Sequence, residues 1–159
     1  MAAVYYHASA AARPLSSSVS PHMNVVLGLK AESLERHERF IERALKNGSV
    51  WHLGREHEGN LFWAESTSNG NENGRGAGKT VVPLWSDRAY AKQCAKSEWN
   101  TYRPYEIPLE RLLLLVLPNM QRAKVLVGTN WNAHLLGFEI TPHKLKLRLQ
   151  KAQKQGAAG

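Results

Sequence analysis

The octapeptide Asn73-Gly74-Arg75-Gly76-Ala77-Gly78-Lys79-Thr80 comes nearest to a phosphate-binding loop in this 159-residue chain. A P-loop needs glycine, four residues, then Gly-Lys-Ser/Thr. It must also follow a strand and open a helix, so that helical N–H groups point at the phosphates. Here Asn73 stands at the first glycine position, and the β-branched, proline-containing Thr80-Val81-Val82-Pro83 follows. Nucleotide binding is not expected, and Ser66–Gly78 reads as a polar, flexible loop with no core-forming residue.

Histidine and nucleophile chemistry fares no better. His52 and His57 flank a turn with Glu56 and Glu58 nearby, but the spacing matches no established metal-ligand pattern. His37 falls amid the charges of a helix, so solvent-facing imidazoles and no metal or other cofactor are expected. Cys94, the single cysteine, sits on the apolar face of a helix with no neighbouring cation there to lower its pKa. It reads as a small buried hydrophobe, and it excludes an intramolecular disulfide. Ser86 and Asp87, the latter the single aspartate, stand where a helix N-terminus wants an acceptor and a negative charge. No catalytic constellation results. Trp51, Trp63, Trp85 and Trp131 fall on or beside strands, where aromatics serve a core, and those strands hold almost no Arg or Lys for a base-stacking platform.

The net charge of +8 resolves into the ends of the chain. Residues 1–30 and 141–159 hold no acidic group, whereas residues 31–140 hold fourteen basic and thirteen acidic ones. The candidate nucleic-acid contacts are therefore Lys144, Lys146, Arg148, Lys151 and Lys154. No apolar run approaches the ~20 residues needed to cross a bilayer.

The elements that must position these groups follow from pattern. Residues 1–24, rich in Ala and Ser, show no periodicity and read as a disordered or mis-assigned extension, without the basic n-region of a secretory signal. Residues 25–150 make a single domain, and 151–159 a flexible basic tail. From Ala31 to Lys46, Leu34, Ile41, Ala44 and Leu45 line one helical stripe with Phe40 at its edge, closed by Asn47-Gly48. Glu32–Arg36, Glu35–Arg39 and Glu42–Lys46 mark the solvated face. Val50–Leu53 and Leu61–Ala64 form a hairpin around a turn at Gly54–Asn60. Thr80–Trp85 is a strand, Asp87–Asn100 a helix with Tyr90, Ala91, Cys94, Ala95 and Trp99 inward, and Tyr105–Ile107 a strand. A helix runs from Pro108 towards Leu117 and ends at Pro118. Val125–Thr129 and Leu136–Ile140 form a second hairpin. Thr141-Pro142 starts a last helix, although Lys144–Gln150 alternates polar with leucine as a strand does. The sum is an α+β domain, its mixed or mostly antiparallel sheet packed with three to four helices.

Several phrases give the chain a family likeness. They are Phe40-Ile41, Val50-Trp51-His52-Leu53, Val82-Pro83-Leu84-Trp85-Ser86-Asp87-Arg88-Ala89-Tyr90-Ala91, Glu98-Trp99, Ile107-Pro108-Leu109 and Leu126-Val127-Gly128-Thr129-Asn130-Trp131. Over about Ser33 to Leu149 the chain resembles a small bacterial family, domain of unknown function 2750. It departs from that family in the Ser66–Gly78 loop and at both ends. The resemblance implies a small mixed α/β domain and no activity, so no catalytic residue carries over. The expected function is that of a non-enzymatic, cytoplasmic protein-binding module; an immunity or antitoxin partner is its narrower form. One alternative is nucleic-acid association through the basic C-terminal segment. Another is a ligand binder or enzyme using the Glu56–Glu65 hairpin and the glycine-rich loop as a rim.

Overall fold

The computed structural model describes residues 23–68 and 78–157. Residues 1–22 of the expected extension at 1–24 and most of the glycine-rich loop, residues 69–77, lie outside them; Met23 and Asn24, expected in that extension, instead open the first helix.

Helix α1 (Met23–Asn47) starts before the expected Ala31 and ends as expected at Gly48, whose N–H reaches the Ala44 carbonyl at 2.9 Å. Its buried stripe is rotated from the expected one. Leu34 is half exposed, while His37, Phe40, Ile41 and Ala44 are buried. The helix lies over the end of a strand that offers a hydroxyl, so a histidine takes the inward position and leucine does not.

Strands β1 (Ser49–His57) and β2 (Asn60–Trp63) form the first expected hairpin, with the turn tightened to Glu58-Gly59. Both turn residues have positive φ, +50° and +78°, the twist a two-residue hairpin requires. On its other edge β1 pairs antiparallel with β5 (Arg103–Pro108). A second sheet holds β3 (Ser66–Thr67), β4 (Thr80–Leu84), β6 (Leu126–Thr129) and β7 (Phe138–Ile140) in the order β3-β4-β6-β7. Ser66 and Thr67 are thus strand, not loop. β4 and β6 run parallel; the other pairs are antiparallel. A bridge between Trp51 and Trp85 joins the two sheets.

Four helices are formed among the described residues. α2 (Arg88–Cys94) is shorter than expected: the chain leaves the helix at Ala95, passes Ser97 at φ +52° and makes one 3-10 turn at Ser97–Trp99. Trp99 still reaches the core. α3 spans residues 109–122, with π-helical Leu112–Val116 between regular turns Leu109–Arg111 and Leu117–Arg122. Pro118 therefore does not end this helix. A proline lacks the N–H and crowds the carbonyl one turn back, and the wider π turn removes both conflicts. α4 (Pro142–Ala157) confirms helix at Lys144–Gln150 and continues through most of the expected tail. Its leucines are not strand alternation: Leu145 and Leu149 are buried one helical turn apart, and Leu147 is half exposed.

Two apolar clusters lie on the two faces of the sheets. The larger joins α1, α3 and α4 to Val50, Val82, Leu84, Ile107 and Val127. The smaller gathers Leu53, Ala64, Trp85, Ala91, Cys94 and Trp99 under α2. The protein is a single α+β domain.

Candidate functional site

The two phrases Trp85-Ser86-Asp87 and Gly128-Thr129-Asn130-Trp131 converge where parallel strands β4 and β6 end. Asn130, at φ +47°, accepts the Ser86 N–H at its Oδ1 (2.8 Å) and donates from Nδ2 to the Ser86 hydroxyl (3.1 Å) and the Arg36 carbonyl (3.3 Å). The Ser86 hydroxyl donates to Asp87 Oδ2 at 2.6 Å, and Arg43 donates to the same oxygen at 2.9 Å. Arg36 donates to the carbonyls of Asn130 and Leu136. The indole of Trp85 donates to the Trp131 carbonyl at 3.0 Å, and that of Trp131 to the Phe138 carbonyl at 3.2 Å.

Asp87 is thus the residue before α2, but its carboxylate makes no cap bond to the helix; Ser86 and Arg43 hold it sideways. Burial works against its ionisation, yet the Ser86 hydroxyl and Arg43 outweigh it and keep the carboxyl below its ordinary pKa. A network of this kind fixes where a chain leaves a sheet. Here it sets the direction of α2.

The histidines expected to face solvent do not all do so. His37 is buried, bonds through Nδ1 to Thr129 Oγ1 at 2.9 Å and stacks on Phe138. Burial lowers its pKa, with opposing contributions from Glu38 and Arg148. His52 lies parallel to the Trp63 indole, centroids 3.5 Å apart, with Tyr105 beyond it at 5.5 Å. Burial pushes its pKa down to about 3. Both positions carry a ring that fills an aromatic slot, and no sequence period separates that use from an exposed one. Cys94 is buried as expected and points its S–H at the Trp131 and Asn132 carbonyls; burial raises its pKa to about 11, so the thiol is not a nucleophile at neutral pH.

Glu139 and Ser68 form another polar contact, the hydroxyl donating to both carboxylate oxygens at 2.7 and 3.1 Å. Burial raises the Glu139 pKa, against the bond from Ser68. Among the described residues no three His, Cys, Asp or Glu side chains gather as a metal would need, and no helix is long and apolar enough to cross a membrane.

The cations expected to contact nucleic acid are distributed around α4. Lys144, Lys151 and Lys154 are exposed, Lys146 projects from the opposite flank of the helix, and Arg148 donates to Glu38 at 2.8 Å.

A concavity of about 600 Å³ lies instead between α2 and the free edge of β5. Its lining comes from Arg88, Lys92, Ala95, Asn100, Tyr102, Arg103, Pro104 and Tyr105, and includes no residue of the Glu56–Glu65 hairpin or of the glycine-rich loop. Strand alternation sends Pro104 towards α2, where Tyr102 packs beside it, and Arg103 and Tyr105 towards the other side of β5. The groove therefore opens over the strand edge, with Arg88 and Lys92 on one lip and Arg103 on the other. None of these cations pairs with a carboxylate among the described residues. Arg55 stands over the Tyr102 ring at 5.8 Å, and Glu56 approaches the Tyr105 hydroxyl, adding to burial in raising that phenol's pKa. Sequence reasoning missed this site because its cations come from separate elements. The i,i+4 spacing of Arg88 and Lys92 was the available signal.

A family described as Protein of unknown function (DUF2750) matches residues 37–149. The chain belongs to this family. The match spans the Trp-Ser-Asp and Gly-Thr-Asn-Trp phrases and the whole groove lining, and it carries no activity with it. No curated protein and no solved structure matches the chain.

Proposed function

We propose that the protein is a binding module that docks a partner protein in the groove between α2 and β5. The observation that carries this reading is the lining itself: three cations and two tyrosines, with no carboxylate among them. Charged rims steer association and choose partners by complementarity, and tyrosines supply contact area at low entropic cost. The reading includes a reducing, cytoplasmic compartment, in keeping with one buried thiol. An immunity or antitoxin role is its narrower form.

The test is affinity capture from the native cell with the full chain and with the triple variant Arg88→Glu/Lys92→Glu/Arg103→Glu. The proposal expects a partner that is retained by the wild type and lost by the variant at equal folded concentration. Equal recovery by both chains overturns it.

Nucleic-acid association through Lys144, Lys146, Arg148, Lys151 and Lys154 is the competing reading. It rests on the absence of acidic residues from 141–159. Its mark is a steep fall in affinity with salt.

A further inference from the structure

We infer that the segment seated in this groove is an extended acidic peptide of the partner, read by side chains and not added to the sheet as a strand. The inference rests on the binding reading above and specifies its ligand.

Two independent features carry it. The first is the edge of β5. Trp51 spends its N–H and carbonyl on Trp85, at 2.7 and 2.8 Å, so the β1 residues bonded to β5 are Val50, His52 and Gly54, opposite Ile107, Tyr105 and Arg103. The positions that face outward are therefore 104, 106 and 108. Two of them, Pro104 and Pro108, have no N–H to offer. A strand cannot be zipped onto such an edge, and recognition there falls to side chains.

The second feature is the placement of charge. Arg88 and Lys92, one turn apart on α2, line one lip and Arg103 the other, and all three side chains are exposed. The three cations come from two elements, the helix on one side of the groove and the strand on the other. They match anions spaced along an extended segment lying between them. Between the lips the surface is Ala95, Pro104 and the body of Tyr102, which suits the aliphatic parts of a peptide. Arginine forks bind carboxylates two bonds at a time, which adds geometry to the charge match. No carboxylate is part of the lining, so the groove has no internal counter-ion to displace.

The test uses the full chain and four probes: a fluorescent peptide alternating glutamate with alanine, its glutamine counterpart, an oligothymidylate of equal length, and inorganic pyrophosphate. The glutamate peptide is expected to bind, to weaken with salt, and to lose roughly tenfold or more in affinity on Arg103→Glu or Lys92→Glu. Lys151→Glu, on α4, is the control for general charge and should leave binding within twofold. Thermal melts verify that each variant is folded. Displacement of the peptide by oligothymidylate or pyrophosphate at lower concentration overturns the ligand class, as does equal weakening by Lys151→Glu. Failure of every probe, with partner capture still lost in the triple variant, overturns this inference and leaves the binding reading standing. Partner capture that survives the triple variant removes that reading and this inference with it.

Discussion

Acid should unfold this protein largely through His52, and the size of the effect follows from where that ring sits. The imidazole is buried, flat against Trp63, and its pKa falls to about 3 from an ordinary 6.5. Its Nδ1–H donates to the Leu53 carbonyl at 3.2 Å, which fixes the neutral tautomer. Between those two pKa values the unfolded chain binds a proton that the folded chain refuses. Stability is then fully present above pH 6.5, and is lost at about 1.4 kcal/mol per unit as pH falls towards 3. At pH 4.5 the loss is roughly 3 kcal/mol, a large share of the ~5–15 kcal/mol that holds a domain together. His52→Phe keeps a flat ring on Trp63 and has no proton to gain. It costs about 1 kcal/mol at pH 7, because the Leu53 carbonyl keeps its bond from the Ala64 N–H at 2.8 Å. Urea unfolding, followed by tryptophan fluorescence at pH 7, 5.5 and 4.5, gives both curves. The wild type should lose roughly 3 kcal/mol more than the variant across that range, so that the variant becomes the more stable chain in acid. Titration of His37 acts in the same direction but is common to both. Parallel curves would refute the reasoning.

Other consequences are simpler to read. Gly128→Ala places a methyl 2.4 Å from the Trp131 ring, which is itself tethered to Phe138, so it should destabilise by about 1–3 kcal/mol in chemical denaturation. Lys144→Gln/Lys151→Gln/Lys154→Gln changes three exposed positions and should leave the melting temperature nearly unchanged. If oligonucleotide binding nevertheless vanishes in that variant, α4 is the nucleic-acid face. Leu149→Ala, fully buried on the same helix, should cost about 2–5 kcal/mol, so deleting residues 141–159 would unfold the domain before it tested any contact.

Much of the fold was legible because the signals are local. Asn47-Gly48 ends α1, alternation marks β1, and Thr141-Pro142 opens α4. The departures arise where a tertiary partner overrules local pattern. Pro118 reads as a stop, yet a π turn beside it lets the helix continue. His37 reads as surface because its neighbours are charged, and only the Thr129 hydroxyl across the fold explains its burial. Asp87 reads as a cap because no sequence rule announces Arg43, 44 residues earlier. The groove was illegible for the same reason: its cations lie on separate elements and meet only through the packing of α2 against β1 and β5.

The motif phrases and the groove divide their work along one short stretch of chain. Trp85, Ser86 and Asp87 face inward or sideways, to Trp131, Asn130 and Arg43, and touch no groove surface. Immediately after them Arg88 and Lys92 face outward and line it. Rigid placement of α2 is what a side-chain-read site needs, since loosely held cations lose through disorder what they gain in charge. The Trp63–His52–Tyr105 stack supplies the matching support beneath β5. The buried polar network thus has a consequence at the surface. Loosening it by Asn130→Ala should weaken the binding of the glutamate peptide proposed for the groove, read by the same fluorescence titration, even though Asn130 lines no part of it.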